Sequence, residues 1–205
     1  MTRMSADTVA RLRLAVADSD VVDRYRSHIK TGRANECWLW TGAISGNGHG
    51  RFQIADQRLT HPDGTTARRT YVVIAHRFGY AALNGVDALL QVPVLAHQCD
   101  NPLCQNPRCW RESNHRANGR DYAYRRDLVR GALTDTRGAR GRARAVRDAA
   151  RAGVEISQAV LAGLRPVHLD QIALFPISTT DDDTDVAHHG HRYRRAESGP
   201  GTLRR

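Results

Sequence analysis

Lysine is all but missing from this chain of 205 residues: Lys30 is the only one among 31 basic side chains. A GC-rich genome alone would push basic positions towards arginine, so the net charge of +10 says less than the places where the arginines sit. Such a balance usually means a nucleic-acid or anionic-membrane partner. No apolar run approaches the length of a membrane span, which excludes a helical transmembrane segment. The N-terminal stretch lacks an apolar core followed by small residues, so no secretory signal is expected and the cytoplasm is the expected location. Aromatic residues are only 6%, which implies a compact core with polar tails. Cysteine is scarce too, at four, and in a reduced compartment four cysteines suit a metal better than two disulfides. There is no internal repeat, and one cored domain with appendages is the expected size class.

In chain order, 1–30 reads as one helix, capped by Asp7 or Thr8, with Val9, Leu12, Leu14, Val16 and Val21 as a docking stripe. From Cys37 the period shortens. Cys37-Trp38-Leu39-Trp40, a glycine-rich turn at Gly46–Gly50 and Arg51–Ile54 predict a β-hairpin, and Pro62-Asp63-Gly64 turns into a third strand, Arg69–Ile74. A helix follows from Ala75, with Phe78, Ala82 and Leu83 inward and Gly85 at its end. Val92–Leu95 is a short strand that delivers His97 and Cys99. Helices are expected from Glu112 to about Asp127, from Thr136 to Ala152 and from Glu155 to Ala162. Residues 165–175 read as an extended arm. The acidic, histidine-rich and arginine-rich stretch 178–205 has no core-forming pattern and reads as a disordered tail.

Cys99, Cys104 and Cys109 sit at C-x4-C-x4-C spacing in a loop rich in Asn and Pro, which by itself forms neither helix nor ladder. With Cys37 they make four thiolates, a set suited to closed, tetrahedral, structural Zn2+. The alternative is four unrelated cysteines, one or two merely buried.

The order of motifs resembles the HNH endonucleases (the ββα-metal or His-Me finger nucleases), in their phage and bacterial zinc-knuckle branch. The matching stretches are Cys37-Trp38-Leu39-Trp40-Thr41-Gly42, Gly48-His49-Gly50, Ala75-His76-Arg77, His97 through Trp110, and Asn118, covering about 35–125. The resemblance implies a metal-dependent DNA endonuclease that hydrolyses phosphodiester bonds. It implies His97 as general base, Asn106 as the residue that orients it, and Asn118 as ligand of a catalytic Mg2+ or Mn2+, with His115 or water as further ligand. Three positions depart from the family pattern. Cys109 stands where the fourth zinc ligand is usually His, Ala96 where many relatives offer Asp to the catalytic metal, and Ser113-Asn114 where Gly-Thr precedes the last helix.

The expected architecture is therefore α+β: an N-terminal helix (1–30), an HNH domain with its zinc knuckle (35–127), a basic helical extension and arm (130–177) and the tail (178–205). Double-stranded DNA is the expected partner, with no membrane contact. Arg116, Arg120, Arg125 and Arg126 follow the knuckle, and Arg140, Arg144, Arg147 and Arg151 fall on one helix face; they are read as a phosphate-contacting surface or, blandly, as a solvated face. His76 and Arg77 either touch phosphate or fix their helix. A single ββα site cuts one strand, so a double-strand break would need a homodimer or two visits. The rival reading is a non-catalytic zinc module that binds DNA.

Overall fold

Asp18 breaks the N-terminal segment in two. Its extended backbone ends α1 (Ala6–Ala17), and its carboxylate accepts from the amides of Asp20 and Val21 to start α2 (Ser19–Ser27). The cap of α1 is Ser5, whose side chain accepts from Thr8, not Asp7 or Thr8. The single helix expected over 1–30 is thus two, followed by a strand, β1 (Ile29–Lys30). The computed structural model describes residues 4–125 and 132–164; the arm and tail expected beyond 164, together with Arg126, lie outside the described residues.

Among the described residues the fold is mixed α+β with three small antiparallel sheets. β2 (Leu39–Trp40) pairs with β1 rather than with Arg51–Ile54 as expected; that partner is β3 (Ala43–Ile44), which pairs with β4 (Gly50–Thr60). β4 runs against β5 (Thr66–Ile74) as a long ribbon, with a register shift between Gln53 and Ala55. α3 (Ala75–Asn84) ends at Gly85, whose φ of 90° no branched residue tolerates well, and α4 (Val86–Gln91), unforeseen, follows directly. α3 buries Phe78, Tyr80 and Ala81 and leaves Leu83 62% exposed, so its apolar stripe is rotated from the expected one.

β6 (Val94–His97) pairs with β7 (Trp110–Ser113), placing His97 opposite Trp110 and closing the cysteine loop between them. The expected helix from Glu112 therefore begins later, as α5 (His115–Arg125), where the Asn114 side chain accepts from the amide of Ala117. α6 (Gly138–Ala152) stops at Gly153 with φ 67°, and α7 (Ile156–Leu161) is capped by Glu155.

One core joins these elements. Trp40, Phe52 and Phe78 are fully buried, with Tyr25 against all three; the Phe52 and Phe78 rings lie 4.6 Å apart. Such aromatic pairs contribute about 0.5–1.5 kcal/mol each beyond their buried area. Ala143, Val146 and Ala150 of α6 belong to the same core, so this helix is built into the domain. Its junction with the first hairpin depends on Gly48, which has φ 87°; a Cβ there would sit 2.8 Å from the Ala139 carbonyl oxygen. Backbone cannot yield as a side-chain tip can. Gly48→Ala is expected to cost about 2–4 kcal/mol through left-handed strain and overpacking, read as a lower urea midpoint. An unchanged midpoint would mean that the loop relaxes away from α6.

Candidate metal centre and adjoining cleft

The loop from Cys99 to Cys109 has little regular structure beyond a 3-10 turn, Pro107–Cys109, and is held from outside. Trp40 N donates to the Leu103 carbonyl (2.9 Å) and Gln105 N to the Trp38 carbonyl (2.7 Å), while Leu39 and Cys104 form an isolated bridge. Tyr25 Oη donates to Gln105 Oε1 at 2.8 Å, in a buried contact with α2. These bonds bring Cys37, next to β2, onto the loop. The four sulfurs of Cys37, Cys99, Cys104 and Cys109 lie within 4.8 Å of one another, and theirs is the one cluster of metal-ligand type among the described residues. In a tetrahedral zinc–thiolate centre, bonds of about 2.3 Å put the sulfurs about 3.8 Å apart. The donor set therefore fits, and the cluster can hold a metal such as zinc. Hydrogen bonds from Cys104 and Cys37 hold the Cys99 thiol low, while shared hydrogen bonds and burial push Cys104 well up. Binding of a divalent cation would favour the thiolate form of the sulfurs that ligate it.

Cys104 has a second role through its backbone. Its carbonyl accepts from His97 Nε2 (3.0 Å) and from Trp110 Nε1 (3.2 Å). A carbonyl only accepts, so Nε2 of His97 carries the proton and Nδ1 carries the lone pair. Burial lowers the His97 pKa, against the Cys104 carbonyl and the charges of Cys99 and Asp100. Asn106 does not hold this ring. Its amide donates to the carbonyls of Ala34 (2.9 Å) and Glu36 (2.7 Å), and its oxygen caps the turn at Arg108 (3.0 Å). Asn106 thus pins the segment before Cys37, and the group bonded to the His97 ring is the Cys104 carbonyl.

His97 lines a cleft of about 480 Å3 that also takes in Asn118, His115, Arg77 and His76. The expected basic residues divide. Arg125 lies at the cleft, ion-paired to Asp100, whereas Arg116 and Arg120 are exposed elsewhere on α5. Arg140 and Arg144 are exposed, Arg147 meets Asp148, and Arg151 donates to the Thr41 carbonyl at 2.7 Å; none of these four lines the cleft. His76 is buried, its Nε2 donating to the Leu95 carbonyl at 3.2 Å, so it fixes α3 to β6 while its Nδ1 stays unpartnered. Sequence reasoning passed over His49, Arg111, Asp121 and Arg142 as site residues, though all four line the cleft. Only His49, within the glycine-rich turn, carried any local signal.

Five buried side-chain nitrogens lack a hydrogen-bond partner among the described residues: His49 Nδ1, His76 Nδ1, Arg77 Nη1, Arg111 Nε and Arg142 Nη1. All five residues line this one cleft. Buried polar groups are ordinarily satisfied, so an unsatisfied set gathered at one place marks where water, an ion or a ligand would bind. The guanidinium nitrogens can only donate and so take an acceptor such as an anion's oxygen, while the free nitrogen of His76 offers a lone pair. No family model, no curated protein and no solved structure matches the chain. The chemistry of the cleft must be read from its own residues.

His49 is tested by acid. Burial, then the charge of His97, lowers its pKa to about 4. The unfolded chain takes up that proton first, so stability falls as pH drops from about 6.5 towards 4, by on the order of 3 kcal/mol in total. His49→Gln is expected to flatten this part of the curve in chemical unfolding followed between pH 7 and 4.5. A variant curve parallel to wild type would show that His49 is protonated in the folded state.

Proposed function

We propose that this chain is a metal-dependent DNA endonuclease of HNH type. The observation that carries the reading is the convergence on one cleft of a histidine with a free ring nitrogen and of arginine nitrogens that have no acceptor. β6, β7 and α5 supply two antiparallel strands and a helix in the order a ββα-metal site uses. The four-cysteine cluster would hold structural zinc beneath them, and duplex DNA would be the substrate.

In this reading His97 Nδ1 takes the proton of a water as its oxygen bonds to phosphorus and the P–O3′ bond breaks. Arg77 and Arg111 offer their unpaired donors to phosphate oxygens, in a half-buried setting where such bonds gain strength. Mg2+ or Mn2+, when bound, offsets charge on the phosphate and on the leaving oxygen. Asn118 would hold that ion, with His115 on the same helix as a further candidate. Mg2+ is commonly held by one or two carboxylates, with water and substrate phosphate filling its shell. The carboxylates that line the cleft, Asp100 and Asp121, are ion-paired to Arg125 and Arg111, so the ion would rest chiefly on the bound phosphate. Asp121, one turn beyond Asn118, is engaged by Arg111.

The test is conversion of supercoiled plasmid to open circle with Mg2+, Mn2+ or EDTA. Metal-dependent nicking by wild type is expected. Ala96, which supplies no carboxylate beside His97, favours the second reading, a zinc module that binds DNA without cutting. Duplex retardation with no nicking under either metal would select it.

A further inference from the structure

The basic face read from the α6 sequence is not the part of α6 that reaches the cleft. Ala139 and Arg142 line it, while Arg140, Arg144, Arg147 and Arg151 do not. Arg142 has a defined seat. Asp135, whose side chain is fully buried, is gripped by Arg137 through Nε (2.9 Å) and Nη2 (2.7 Å) and by the Arg137 amide (2.9 Å). Arg137 is fixed in turn on the Ala159 carbonyl at 2.8 Å. The turn after α7 closes over this group: Thr136 N donates to the Gly163 carbonyl at 2.9 Å, and a Cβ at Gly163 would run into the Asp135 carboxylate.

Arg142 Nη1 lies 3.6 Å from Asp135 Oδ2, near enough for attraction and too far for a hydrogen bond. One carboxylate is thus shared between two guanidiniums, and Arg137 takes its hydrogen bonds. Arg142 is placed by charge: Nη1 is the nitrogen that faces Asp135, buried and without a hydrogen bond, and the residue itself lines the cleft. A surface arginine would satisfy all its donors with water. This one is largely desolvated, with 17% of its side chain exposed.

We infer that Arg142 is a phosphate-binding residue of the cleft, positioned by Asp135, so that α6 contributes to the nucleic-acid site alongside Arg77 and Arg111. The inference rests on the nuclease reading for its substrate, a phosphate of the bound DNA strand. Its bond is one that neither α3 nor β7 supplies, and it makes the segment after 131 part of the site.

The experiment uses the full chain in two assays: plasmid nicking with Mg2+, and anisotropy of a fluorescent duplex in EDTA across a salt series. Arg142→Ala is compared with Arg26→Ala, an exposed residue of α2, for the same change in charge. Arg142→Ala is expected to bind roughly tenfold more weakly and to lower the slope of log K against log salt by about 1, while Arg26→Ala changes neither. Arg142→Lys is expected to keep the slope and lose nicking rate, because a point charge lacks the planar fork. Asp135→Asn should lower the nicking rate in wild type and not further in Arg142→Ala, although its stability cost appears in both backgrounds. Arg142→Ala matching Arg26→Ala in slope and rate, with wild type still nicking, overturns this inference alone. Wild type that binds but never nicks, with the slope still lost in Arg142→Ala, removes the catalytic reading and leaves the contact standing. Wild type that does not bind duplex even at low salt removes both.

Discussion

His97→Ala is expected to lower Mg2+-dependent plasmid nicking by roughly 10^2–10^4-fold, the range for loss of a general base. Thermal midpoint and zinc content should stay close to wild type. The side chain is half-buried, and the sulfurs are placed by bonds that do not pass through it. What the alanine removes is one donor to the Cys104 carbonyl, which keeps its bond from Trp110, and the ring nitrogen whose lone pair faces no protein donor. Duplex affinity in EDTA should therefore survive, separating binding from chemistry in one protein. If His97→Ala nicks as fast as wild type, the base lies elsewhere, and an enzymatic reading built on this ring fails.

Cys104→Ser should have the larger effect on the fold. Cys104 is fully buried, its sulfur sits in the four-cysteine cluster, and its carbonyl holds both His97 and Trp110. Structural zinc supplies on the order of 10 kcal/mol of folding free energy, comparable with the whole stability of a domain. The variant is expected to lose about one zinc per chain, together with its cooperative thermal transition and all nicking. Cys109→His, which restores the imidazole usual in the resembled family, is expected to retain zinc. Wild type that contains no zinc, titrates four free thiols and melts unchanged in chelator would remove the metal centre and with it the support beneath His97.

How far the sequence could be read depended on how local each feature is. Gly85 and Gly153 end their helices by backbone conformation alone, and both were legible. So was the gathering of all four cysteines, because ligand spacing is a local property for three of them. The strand Ile29–Lys30 was not legible: two residues carry no period, and only the arrival of Leu39–Trp40 makes them a strand. The same holds for α6, where the sequence displayed an arginine face but not that Ala143, Val146 and Ala150 belong to the core, because their partners lie some hundred residues away in the chain. Asn106 was assigned from the resemblance to His97, yet its amide is spent on Ala34 and Glu36. The cleft's unpaired nitrogens had no sequence signal at all. A missing partner is a property of the assembled fold, and Arg142 looks from sequence like any of its neighbours.

The spacing of the four sulfurs also sets an order of events. Cys99, Cys104 and Cys109 lie within one short loop whose closure costs little entropy, while Cys37 must return across some sixty residues that include the ribbon and two helices. A chain emerging from synthesis can gather three thiolates about a cation before the first hairpin has docked. The bond from Cys37 would then arrive with the core, which makes closure of the site a late, long-range event in folding.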